Sequence, residues 1–218
     1  MSSHADATSA AGMPERRARD PFEWGLATKS RRGEPTNGDL GVVILLPEGA
    51  LVAAIDGLGH GSEAARAAAT AGDVINQSPA GDLVSLMQRC HLALQGSRGA
   101  AISLAFVSSS KSTITWVGVG NVEGRVLSRD PAATRRRGSL ALGRGVPGHE
   151  LPTLSPATLD ARPGDVLVLA TDGIATVFAD SLDLSGSAQE ISERILADHR
   201  KRPDDALVLA VRYLGVRR

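Results

Sequence analysis

Five aspartates at the ends of apolar runs carry most of the chemistry this sequence offers: Asp39 before 41–46, Asp56 after 51–55, Asp172 after 166–170, and Asp204 with Asp205 before 206–211. Carboxylates in such places bind hard cations or move protons. Asp56 also opens a glycine-rich loop, Asp56-Gly57-Leu58-Gly59-His60-Gly61. His60 is of a type that gives a proton to a leaving oxygen, although a histidine at a helix start is also an ordinary surface residue. Each aspartate alone serves equally well as a turn or cap residue, so the weight lies on their combined placement.

The elements that must position these side chains follow from the patterning. The runs 41–46 and 51–55 are separated by Pro47-Glu48-Gly49-Ala50, a length that closes a hairpin and is too short for a crossover. Antiparallel pairing returns Asp56 to within about two residues of Asp39, roughly 7 Å at ~3.3 Å per residue. Pairing of 166–170 with 206–211 brings Asp172 to the same end as Asp204 and Asp205. If both pairs share one sheet edge, four carboxylates converge, and their repulsion requires bound cations. Oxygen ligands, with no Cys or His at metal-ligand spacing, select Mg²⁺ or Mn²⁺.

Around this frame the sequence predicts a strand over 24–29, an Ala-rich helix over 62–75 with Ser62 as its N-cap and Glu63 in its first turn, and a second helix over 82–95. Strands at 101–108, 112–119 and 122–128 read as an antiparallel meander with Gly120-Asn121 as a turn. Residues 130–156 read as a long surface excursion rich in Pro, Gly and Arg, and a helix over 188–199 precedes the last strand, 206–213. Strands in hairpins and helices in runs make this an α+β layered sandwich.

The 218 residues, 42% apolar and 22% charged, suit one domain spanning 21–218 behind a disordered tail over 1–20. Lys plus Arg equals Asp plus Glu at 24 each, so no global field favours nucleic acid or an anionic membrane. No run of ~20 apolar residues and no secretory h-region is present, and the expected location is the cytoplasm. The single cysteine, Cys90, fits a buried apolar position in a reducing compartment. Arg135-Arg136-Arg137 reads as a solvated run, or as a contact to an acidic or phosphorylated partner. Competing motifs fail: the spacing of Gly57, Gly59 and Gly61 puts Ser62 where a dinucleotide turn needs its third glycine. No Gly-x-x-x-x-Gly-Lys phosphate loop and no Gly-x-Ser-x-Gly elbow occur.

The motifs Asn37-Gly38-Asp39, Asp56-Gly57-Leu58-Gly59-His60-Gly61, Gly120-Asn121, Gly164-Asp165, Thr171-Asp172-Gly173 and Asp204-Asp205, in this order, resemble the PPM-type metal-dependent protein phosphatases (protein phosphatase 2C-like). Within that family the resemblance is to the bacterial branch of SpoIIE and the short stressosome phosphatase RsbX, over about 24–213. It implies an α-β-β-α sandwich with two mainly antiparallel sheets flanked by helices. It implies two divalent ions, Mn²⁺ or Mg²⁺, with Asp56 bridging both, the Gly57 carbonyl helping to bind one, and Asp39, Asp172 and Asp204 completing the shells. It further implies attack of an activated water on phosphorus without a phosphoenzyme, and as substrate a phosphoserine or phosphothreonine of a regulatory protein, of the STAS-domain type in stress signalling. Gly38 stands where eukaryotic members carry an acid, and Arg31 and Arg32 lie in the loop where they carry a phosphate-binding arginine. Two readings compete: a small-molecule phosphomonoesterase with the same metals, and an interaction module without turnover, for which convergent acids have no physical use.

Overall fold

The described strands of this chain form two sheets. In the computed structural model, which describes residues 21–79, 81–128, 140–180, 182–201 and 203–215, the elements are β1 Phe22–Lys29, β2 Asp39–Leu46, β3 Gly49–Gly57, α1 Gly61–Gln77, α2 Leu83–Ala93, β4 Ala100–Ser108, β5 Thr113–Val119, β6 Glu123–Leu127, β7 Ala157–Asp160, β8 Val166–Ala170, α3 Ala188–His199 and β9 Ala206–Tyr213. One sheet has the order β1-β9-β8-β6 and the other β2-β3-β4-β5-β7, with every pairing antiparallel.

Alternation along the strands sends side chains to both faces of each sheet, so three apolar layers form. Trp116, Leu167, Leu209 and Tyr213 belong to the layer between the sheets. Ile55, Ala68, Ile75, Met87 and Ile102 pack where α1 and α2 cover the five-stranded sheet. Val168, Val208, Ile191 and Ile195 pack where α3 covers the other. The result is the expected α-β-β-α sandwich. Cys90 is buried in the α1–α2 layer, and its thiol is pushed up to about 12 by that burial, so it is an inert packing residue. Among the described residues no helix is long and apolar enough to cross a membrane.

Several expectations are corrected. The meander is broken: β5 pairs on its outer side with β7, while β6 crosses to the other sheet and pairs with β8. At the crossing Gly120 has φ +102°, and the Val122 carbonyl accepts from the Ser103 hydroxyl at 2.8 Å. The segment 130–156 is not wholly superficial, since Leu140 is buried in the inter-sheet layer and Gly143 accepts the Gly120 amide at 3.1 Å. The N-cap of α1 is His60, not Ser62. The expected tail over 1–20 and the Arg135–Arg137 run lie outside the described residues.

The junction of β3 and α1 is set by close approach. A Cβ on Gly57 would lie 2.0 Å from the Ala64 carbonyl oxygen, so only glycine lets the helix start this near the sheet edge. Gly57→Ala should therefore destabilise the fold by about 3 kcal/mol, read by urea unfolding; a loss below about 1 kcal/mol would contradict this packing.

Candidate functional site

The hairpin of β2 and β3 places Asp39 directly opposite Asp56 in the antiparallel register. This is closer than the two-residue offset expected from the sequence, because the strands run on through both acids. In the second sheet Ala170 pairs with Val208, and the Thr171 amide still donates to the Leu207 carbonyl at 3.1 Å, so Asp172 emerges beside the start of β9. Asp39, Asp56, Asp172, Asp204 and Asp205, with His60, Asn121 and Arg31, line one cleft of about 220 Å³. That volume holds several waters.

Hydrogen bonds tie the two sheets together at this edge. The Thr171 hydroxyl donates to Asp39 Oδ2 at 2.7 Å and accepts the Leu207 amide at 2.9 Å. Asp205 is buried and accepts the amides of Arg31 at 2.7 Å and Gly38 at 3.0 Å, one on each carboxylate oxygen. It thereby fastens the 30–38 loop to β9. Asp204, half-buried, accepts the Asp205 amide at 3.0 Å through Oδ1. Arg200 Nη2 braces the same corner, donating to the carbonyls of Ser30 and Asp204. At the rim, Asn121 Nδ2 donates to Asp172 Oδ2 at 2.8 Å. Gly57 donates its amide to the Gly38 carbonyl at 3.0 Å. His60 sits at the mouth, its side chain 48% exposed and its Nδ1 2.8 Å from Glu34 Oε1.

The electrostatics follow from burial among like charges. Burial pushes Asp39 up to about 7; the Thr171 hydroxyl opposes this, and Asp205, Asp172 and Asp204 add to it. Burial pushes Asp56 up to about 8, with Asp39, Asp172, Asp204 and Asp205 adding to it. Asp172 is also raised, by partial burial and by Asp204, against the counter-effects of Lys201 and Asn121. Among the described residues no Arg or Lys makes an ion pair with Asp39, Asp56, Asp172 or Asp204. Nor, among them, are any three acids or histidines already drawn into a ready-made metal cluster. The carboxylates instead surround the cleft, which leaves oxygen donors and a charge deficit of the kind that hard divalent cations satisfy.

All the aspartates singled out by spacing thus come to one edge, together with His60 and Arg31, whereas Arg32 does not line the cleft. Glu34 was not anticipated, because its sequence context is that of a turn. Thr171 and Asn121 stood in the motifs, but their bonding roles depend on the second sheet, which local patterning does not describe.

Comparison with known proteins adds to this geometry. The family described as Stage II sporulation protein E (SpoIIE) matches residues 47–214. The phosphoserine phosphatase RsbX of Bacillus subtilis (strain 168) is 33% identical over 72 residues, 33% of this chain; the match spans 36% of that relative's length. A solved structure described as the bacterial stressosome, a modular system adapted to control secondary messenger signaling, is 30% identical with a TM-score of 0.79, covering 88% of this chain and 99% of that one. The crystal structure of RsbX in complex with magnesium has a TM-score of 0.79 at 22% identity, over 91% and 97% of the two chains, a likeness that shows the fold.

Proposed function

The chain belongs to the SpoIIE family, and from that premise we propose that it is a metal-dependent phosphatase acting on phosphoserine or phosphothreonine of a regulatory partner protein. One observation carries the reading: five carboxylates from both sheets line a single cleft, and none of them makes an ion pair with Arg or Lys among the described residues. Asp39, Asp56, Asp172 and Asp204, with the Gly57 carbonyl, would hold two divalent ions, Mn²⁺ or Mg²⁺. Asp204 is the ligand in preference to Asp205, because both oxygens of Asp205 already accept backbone amides. Bound there, the ions supply Lewis acidity that lowers the pKa of a water and offsets the charge on phosphate oxygens.

The chain's own residues do the rest. Arg31, its amide pinned by Asp205, lines the cleft and offers a guanidinium fork to phosphate oxygens. Thr171 fixes the Asp39 carboxylate through the 2.7 Å bond. His60, at the mouth, gives a proton to the leaving seryl or threonyl oxygen. The names of the relatives, a phosphoserine phosphatase and a stressosome system, support a stress-signalling phosphoprotein as substrate, and the STAS type is our own choice within that class. A site at a sheet edge is reached from the surface, so a folded partner can dock on the loops around it.

The test is turnover of a folded phosphorylated STAS-domain protein, its isolated phosphopeptide and p-nitrophenyl phosphate, with EDTA and after addition of Mg²⁺ or Mn²⁺. The expected result is activity only with metal and a higher kcat/KM for the folded protein than for its peptide. Preference for the small ester would favour the phosphomonoesterase reading, and no turnover of any substrate would favour an interaction module.

A further inference from the structure

The loop that carries Arg31 also carries Glu34, and this acid reaches across to the start of α1. Its Oε1 lies 2.8 Å from His60 Nδ1, with the two side chains 28% and 48% exposed. Its Oε2 lies 3.0 Å from where a Cβ on Gly61 would stand, and Gly61 has φ +72°. A side chain at position 61 would thus be strained and would crowd the carboxylate. The glycine after His60 keeps open the place that Glu34 occupies. His60 itself makes no side-chain cap bond to α1, so helix capping does not account for the position of its ring.

A carboxylate accepts hydrogen bonds, so the atom of His60 facing Glu34 must carry the hydrogen. We infer that Glu34 and His60 form a carboxylate–imidazole pair in which Glu34 fixes the ring as the Nδ1–H tautomer and leaves Nε2 as the atom that exchanges a proton with the phosphoester. Glu34 is then a positioning residue, acting through His60. The inference rests on the phosphatase reading above. In the step it serves, the bond from phosphorus to the seryl oxygen breaks as a water oxygen bonds to phosphorus. In the doubly protonated ring Nε2 gives its proton to the departing oxygen, leaving the Nδ1–H tautomer that Glu34 holds, and Nε2 then regains a proton from the attacking water, so one water is consumed. The hydrogen bond on the other ring nitrogen decides which nitrogen is available for such transfer, and loss of an orienting carboxylate leaves the ring free to adopt the unproductive tautomer.

The experiment combines kinetics with a direct view of the ring. Wild type, Glu34→Ala, His60→Ala and the double variant are assayed, metal-loaded, on a phosphoserine protein and on p-nitrophenyl phosphate, and ring ¹⁵N shifts of His60 are recorded for wild type and Glu34→Ala. Glu34→Ala should slow the poor seryl leaving group by about 10-fold and p-nitrophenyl phosphate by less than ~2-fold. The double variant should be no slower than His60→Ala, and the His60 spectrum should move from the Nδ1–H form in wild type toward the Nε2–H form. Equal slowing of both substrates, additive losses in the double variant, or an unchanged tautomer would each overturn the inference. The ring spectrum reads the pair even if the chain hydrolyses neither ester, so failure of the phosphatase reading is seen separately, as absent turnover in wild type. Circular dichroism of Glu34→Ala checks folding, and should that variant misfold, the wild-type spectrum still decides: an Nε2–H ring there overturns the pairing.

Discussion

Asp56→Asn is expected to lower kcat by roughly 10²- to 10³-fold while leaving the metal-free protein at least as stable as wild type. The two halves of this expectation have one cause. Asp56 is pushed up to about 8 by burial and by Asp39, Asp172, Asp204 and Asp205, so near neutral pH without metal it is mostly protonated. Asparagine copies that neutral form in shape and charge, and it removes a source of repulsion facing Asp39 across the hairpin. What it cannot copy is the full anionic charge with which the carboxylate would help to hold divalent cations. Activity is lost and stability is kept or gained, as expected where a site is strained for function. The measurement is kcat with saturating metal beside urea unfolding in EDTA. Asp165→Asn is the comparison: Asp165 caps the far end of β8, its Oδ2 accepting the Arg162 amide at 2.6 Å. It should leave kcat unchanged while lowering stability. Similar losses of activity in both variants would mean that the site is misplaced.

Removal of metal should make stability fall as pH rises, and addition of metal should reverse the trend. The folded-state values of Asp39 and Asp56, about 7 and about 8, lie above the ordinary 3.8. The folded metal-free chain therefore holds protons that the unfolded chain releases. The associated stability is fully present below about pH 4 and is lost as pH climbs through 7 and 8. A divalent ion needs both carboxylates ionised, so its stabilising effect grows over the same range. Thermal unfolding at pH 6.0 and 8.5 (~6 and ~8.5 in any buffer pair), in EDTA and with Mg²⁺, is the measurement. The gain in Tm on adding Mg²⁺ should be larger at the higher pH by about 5 °C, and the difference should shrink in Asp56→Asn. A gain independent of pH would show that ion binding does not compete with protons on these two acids.

How much of this was legible in the sequence depends on the range of the contacts. The hairpin joining Asp39 to Asp56 was readable because its turn is short and its apolar runs are adjacent; the structure shows the pairing even tighter than expected. The meeting of Asp172 with Asp204 required only that two apolar strands pair, and they do. The crossing of β6 was not readable, because Gly120-Asn121 looks the same whether it closes a hairpin or passes between sheets, and only Ser103, buried on β4, reveals which. Strand β7 escaped notice because its four residues, Ala157–Asp160, carry a half-buried, half-exposed pattern too short to stand out from a loop. Glu34 was hidden for a related reason: its partner His60 lies 26 residues away in sequence, and nothing local marks the pair. Asp205 was readable as an acid but not as a structural one, since its two amide donors come from a loop 167 and 174 residues distant.

The central claim, that the acids at this sheet edge exist to hold divalent ions, is tested most directly by counting Mn²⁺ bound per chain by electron paramagnetic resonance in wild type and Asp56→Asn. The account predicts two ions per wild-type chain and loss of at least one in the variant, with turnover following occupancy across the titration. Equal Mn²⁺ binding by both proteins, or full turnover in wild type stripped of metal, would contradict it.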